Sequence, residues 1–174
     1  MNEPKGVVLR SRRIPKEVVK RIEGVLKFFP ELSGFYVYYT STHFGKYVGG
    51  WKIAINPKLR GRFFNYVVAH ELTHLIQYNQ ERVREKGRRT KYSFLYEQKI
   101  PKGELQCDIW CYARDERLVS ISPYLARKIG VSERRKFEER SEEICNLARE
   151  AIELRKKKRT YIAWFTKELK ILLD

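Results

Sequence analysis

Apolar residues recur at helical spacing at Ile14, Val18, Ile22, Val25 and Phe29, predicting an opening amphipathic helix that Pro15 can start and Pro30 ends. The run Phe35-Tyr36-Val37-Tyr38-Tyr39-Thr40 is β-prone. Trp51, Ile53 and Ile55 then alternate with Lys52 and Ala54 until Asn56-Pro57 stops the pattern. Two or three strands in a small sheet follow, with Gly49-Gly50 as a hairpin turn or a bulge. Over residues 60–79 the helical period returns, with Phe64, Val68, Leu72, Leu75 and Ile76 on one face. Residues 82–91 carry six basic side chains against one acid and read as an exposed, mobile connection. A further helix is expected over 104–119, and a short one after Pro123 that ends at Gly130. Ser132 is a candidate cap for an entirely helical tail. In that tail Phe137, Ile144, Ala148 and Ala151 form one stripe and Ile162, Phe165, Leu169 and Leu172 another, separated by the basic run 155–159. The pattern is that of a predominantly helical α+β protein. Residues 1–131 form its body and 132–174 a helical extension packed on the same globule.

Composition narrows this to one folded domain. In 174 residues, 43% hydrophobic and 13% aromatic positions offer enough apolar surface to offset the chain entropy lost on folding. No uninterrupted apolar run is longer than that from Tyr161 to Phe165, far short of the roughly 20 residues a membrane span requires. The amino end lacks the pattern of a secretory leader, and three cysteines suggest no disulfide framework, so a cytoplasmic location is expected. Eighteen of the 21 acids are Glu and the only Met is the first residue, a bias shared with proteins of thermophiles. Charge changes the picture most. At +16 the chain would attract anionic partners such as nucleic acid, or simply carry a Lys-rich solvated surface. Tyr36, Tyr38, Tyr39 and Trp51 could stack on bases, although aromatic residues in β segments more commonly pack in cores.

The candidate chemistry lies in His70-Glu71-Leu72-Thr73-His74. A four-residue offset on a helix turns only about 40°, so both imidazoles face one way and can share a divalent ion. Glu71, one step round, can reach a water on that ion without being a ligand. A third ligand is needed. Glu104, at the start of the following helix, can supply an oxygen, and Asp108, on the same face, can accept a ring proton from a ligating histidine and fix its orientation. His43, the only other histidine, reads as a loop or surface residue. A rival arrangement uses His70, His74, Cys107 and Cys111 as a sealed structural zinc site.

The HELTH motif followed by a glutamate helix resembles the gluzincin metallopeptidases. The nearer likeness is to the minimal gluzincins (minigluzincins) and to the catalytic domains of Ste24/HtpX-type membrane endopeptidases. Their Glu, two residues, a small residue and an Asp correspond to Glu104 through Asp108, with Cys107 in the small position. The likeness covers roughly residues 47–115. It implies a zincin-like fold, zinc held by His70, His74 and Glu104, Glu71 as general base and acid, and Asp108 behind the ligands. The implied activity is hydrolysis of peptide bonds by a zinc-activated water, on a peptide laid along the strand at Trp51 to Ile55 if that strand is an edge. The resemblance also implies latent forms in which a terminal segment blocks the cleft. The alternative is a basic nucleic-acid-binding protein with structural zinc. A protease of nucleic-acid-bound proteins would resemble the SprT-like family, whose third histidine has no counterpart downstream in this chain.

Overall fold

The computed structural model describes residues 3–87, 90–96, 99–131, 133–158 and 160–174. It is α+β and 55% helical, with one small mixed sheet. The chain divides into two compact units, the first ending at Lys99 and the second running Ile100–Asp174.

In the first unit β1 (Gly6–Leu9) leads to α1 (Lys16–Leu26), β2 (Gly34–Tyr39), β3 (Gly45–Gly49), β4 (Lys52–Ile55), α2 (Gly61–Tyr78) and α3 (Gln80–Gly87). The sheet order is β1-β2-β4-β3. β1 and β2 run parallel, as do β2 and β4, while β3 returns antiparallel along β4 and forms one edge. The segment at Trp51 to Ile55 is therefore interior, and the edge beside it is β3. The Gly49-Gly50 pair is both of the expected features at once. A register shift separates Tyr47 from Gly49, and the two glycines turn the hairpin at φ +112° and +56°, values that L side chains avoid.

Pleating assigns the two sheet faces. Phe35, Val37, Ile53 and Ile55 share one face and are fully buried. α1 packs on β1 and on α2, and α2 packs on β3 and β4, so both helices cover that face. α1 contributes Val18, Ile22 and Val25, and α2 contributes Phe64, Val68, Leu72, Leu75 and Ile76. Residues 80–87, expected in a mobile connection, continue as helix α3 with Val83 buried, because Asn79 accepts amide protons from Arg82 and Val83 and restarts the turn. Residues 88 and 89 of that basic stretch lie outside the described residues.

The second unit holds α4 (Glu104–Tyr112), α5 (Pro123–Ile129), α6 (Arg134–Glu139), α7 (Ser141–Arg155) and α8 (Tyr161–Leu173). α4 stops earlier than its apolar spacing predicts. Asp115 accepts from the Arg117 amide and side chain, and residues 116–118 tighten into a 3-10 turn. α5 ends at Gly130 in the left-handed conformation, φ 73°, as its sequence predicts. The expected cap Ser132 lies outside the described residues. The first tail stripe faces inward, with Phe137, Ile144, Ala148 and Ala151 buried, whereas α8 buries Tyr161, Phe165, Leu169 and Leu173 and leaves the expected Ile162 and Leu172 half-buried. α7 lies against both α4 and α8, and Arg149 donates from Nε to the Ala113 carbonyl at 2.9 Å, tying α7 to the end of α4. Among the described residues no helix is long and apolar enough to cross a membrane.

Candidate metal centre

α2 places His70 and His74 one turn apart with ring centroids 4.8 Å from each other, edge to face. Each offers a ring nitrogen, and the two lie within 4.8 Å, close enough to share one ion. Their orientation is fixed by the same helix. The Tyr66 hydroxyl, one turn before His70, lies 3.2 Å from its Nδ1. Gln77, three residues after His74, presents its side-chain oxygen to Nδ1 of that ring at 3.0 Å. An amide oxygen only accepts, so His74 Nδ1 carries the proton and the lone pair sits on Nε2, the tautomer that suits a metal ligand. Two imidazoles with Nδ1 held by polar neighbours are donors that could hold a metal ion.

Tyr66 and Gln77 went unnoticed in the sequence, although their offsets of four and three residues from the histidines are the helical neighbour spacings that would have shown them. Aromatic packing steadies the pair further, since the Tyr66 ring lies 5.5 Å from His70 and 5.9 Å from Phe63.

Glu71 is 7% exposed. Its nearest constraint is the first residue of β3. A methyl group built on Gly45 would stand 2.8 Å from Glu71 Cγ, 2.9 Å from its Oε1 and 2.7 Å from Val67 Cγ1. Glycine at this position is what lets the edge strand approach the carboxylate so closely. His43 sits two residues earlier, exposed, with its Nδ1 2.8 Å from the Thr42 hydroxyl, a loop position as its sequence context suggests.

In the second unit, Glu104 is exposed in the first turn of α4, and Cys107, Asp108 and Cys111 are buried along the same helix. The Ser122 hydroxyl, at 3.3 Å, donates to Asp108 Oδ2, and the same oxygen of Ser122 accepts from the Leu125 amide and so caps α5. The Cys111 thiol points to the Leu118 carbonyl at 3.9 Å. Burial, with the Asp108 carboxylate beside it, pushes that thiol well above the usual cysteine range. The Cys111 thiol thus has a hydrogen-bond acceptor inside its own unit. Tyr112 is committed in the same way, donating to the Ser120 carbonyl at 2.8 Å, with its pKa raised by burial and then by Asp108.

No family model, curated protein or solved structure matches the chain.

Proposed function

We propose that the protein is a zinc-dependent endopeptidase of minimal gluzincin type. The observation that carries this reading is the oriented histidine pair on α2 with Glu71 between them. His70 and His74 are assigned as ligands and Glu104 as the third. Asp108, buried one turn below Glu104, would steady the ligand helix from behind. Bound zinc would supply Lewis acidity to a peptide carbonyl and acidify the attacking water.

The chain's own groups do the rest. Glu71 takes the proton from the attacking water and delivers it to the leaving amine nitrogen as the C–N bond breaks. An extended peptide would pair with β3, the free edge beside β4, rather than with the interior strand at Trp51 to Ile55. Main-chain hydrogen bonding there recognises a backbone with little regard for sequence.

The deciding experiment loads the full chain with zinc and compares it with Glu71→Gln on a quenched fluorescent peptide library, measuring metal content of both. The expected result is one zinc in each protein and a rate about 10²–10⁴-fold lower in the variant. Equal rates would defeat the assignment of Glu71. Glu104→Gln and Cys107→Ser, compared for zinc affinity, separate the carboxylate from the Cys107 thiol of the same helix. A large loss in the cysteine variant alone would move the third ligand to Cys107 and overturn the gluzincin assignment.

A further inference from the structure

Within the first unit, α1 and α2 cover one face of the sheet. By the strand alternation, Val8, Tyr36, Tyr38, Lys46, Val48, Lys52 and Ala54 point to the opposite face. Two of them are tyrosines on one strand, half-buried and separated by a single residue, about 7 Å apart along β2. Lys52 lies across from Tyr36, and Ala54 across from Tyr38, with Lys46 beyond it. Neither tyrosine hydroxyl has a hydrogen-bond partner and neither lysine is paired with an acid among the described residues. Not one Asp or Glu occurs in the four strands. Around them Lys and Arg outnumber Asp and Glu by 20 to 8 over residues 1–99.

A solvated face explains lysines at a sheet surface. It does not explain two large aromatic rings with unused hydroxyls placed side by side among them. The exposed Arg10 guanidinium lies 4.5 Å from the centroid of the Tyr36 ring, so that ring already accepts a planar group stacked against it. A nucleobase is such a group, and on displacing the guanidinium it would leave Arg10 beside its own phosphate.

We propose that this second face binds single-stranded nucleic acid, with Tyr36 and Tyr38 each stacking on one of two adjacent bases and Arg10, Lys46 and Lys52 contacting the backbone. Unpaired bases are required because rings lying on a flat sheet cannot reach bases stacked within a duplex. The two-ring spacing on one strand suits consecutive nucleotides, and the acid-free strands remove the repulsion that a phosphate would otherwise meet. This surface stands on observations independent of the metal centre.

The test is fluorescence anisotropy on the full chain with a labelled 12-nucleotide oligothymidylate and a 12-base-pair duplex, at two salt concentrations. The single strand is expected to bind at least tenfold more tightly than the duplex. Tyr36→Ala with Tyr38→Ala should weaken it about tenfold or more, while the two Tyr→Phe changes together preserve binding within about twofold, since phenyl rings stack equally well. Lys46→Gln with Lys52→Gln should lower the slope of affinity against salt by about one per lysine, a readout that stands even if the alanine variant fails to fold. Lys128→Gln with Lys167→Gln, both in the second unit, should change nothing. Equal affinity for duplex and single strand, or a salt slope unaltered by the Lys46 and Lys52 changes, would overturn the proposal. So would displacement of the oligonucleotide by polyglutamate at matched charge, which would mark the face as a surface for acidic protein segments.

Discussion

A single added methyl group separates the accepted and excluded versions of position 45. At 2.8 and 2.9 Å from Glu71, and 2.7 Å from Val67, the new carbon would force one of those side chains to move, and only the carboxylate has a flexible far end. Gly45→Ala is therefore expected to lower peptide hydrolysis by about tenfold to 100-fold through misplacement of the base, with zinc affinity unchanged. Steady-state kinetics beside a metal titration would show it, and unaltered kcat would mean that the Glu71 position is not critical.

Tyr66 and Gln77 act on the other side of the same helix. Tyr66→Phe and Gln77→Leu each remove the polar atom that holds an Nδ1, and each should weaken zinc binding about 10- to 100-fold. Competition with a chelator measures this, and nitrogen NMR shifts of the two rings report whether the tautomer has changed. At this scale the sequence was readable where spacing carries the meaning, as in His70, Glu71 and His74. It was silent on Gly45, because contact between a strand's first residue and a helix side chain depends on how the two elements pack and leaves no pattern in the chain.

Among the elements, α5 and α4 are joined through Ser122. Its side chain accepts from the Leu125 amide at 2.9 Å and donates to Asp108 at 3.3 Å, so Ser122→Ala removes a helix cap and one partner of a fully buried carboxylate together. A loss of about 1 kcal/mol is expected from the cap alone, with more from the carboxylate, read as a fall in thermal midpoint. Ser122→Thr, which keeps the oxygen, should recover much of it.

Elements with long periodic patterns were legible. α1, α2, α5 and the two tail stripes follow from apolar spacing and glycine or proline boundaries. β1 and β3 were not, since four or five residues that begin or end in glycine hold too few alternations to stand out, and parallel pairing of β1 with β2 is set by a crossover that only the folded chain reveals. The same omission left the strand at Trp51 to Ile55 open as a candidate edge, which the unseen β3 in fact covers. Apolar spacing also overran α4, because Asp115 diverts the chain by local hydrogen bonds that periodicity does not register.

At the scale of the whole molecule, four buried thiols and phenols of the second unit hold their protons more tightly than usual. Burial pushes the Cys145 thiol up to about 11 and the Tyr161 hydroxyl up to about 12, and Cys111 and Tyr112 are also raised. A group that keeps its proton more tightly when folded adds stability that is complete below its unfolded pKa and is lost as pH rises through the folded value. Stability is thus expected to hold to about pH 9 and to decline through about 11–12, followed by circular dichroism at increasing pH. A profile flat to pH 12 would contradict the burial of these groups. The same burial predicts slow reaction of Cys111 and Cys145 with a thiol reagent at pH 8 until denaturant is added. The net charge of +16 was evident from the outset, but a total does not say which surface bears it, and the tyrosine pair became meaningful only when pleating separated the two sheet faces.

The two imidazoles are mounted on one rigid rod together with the residues that aim them. Movement of α2 therefore carries both nitrogens together, so the spacing that a cation would meet there is kept by the helix itself. A cation seated on the pair would then be loaded and released by two nitrogens acting as one bidentate unit, without distortion of either ring.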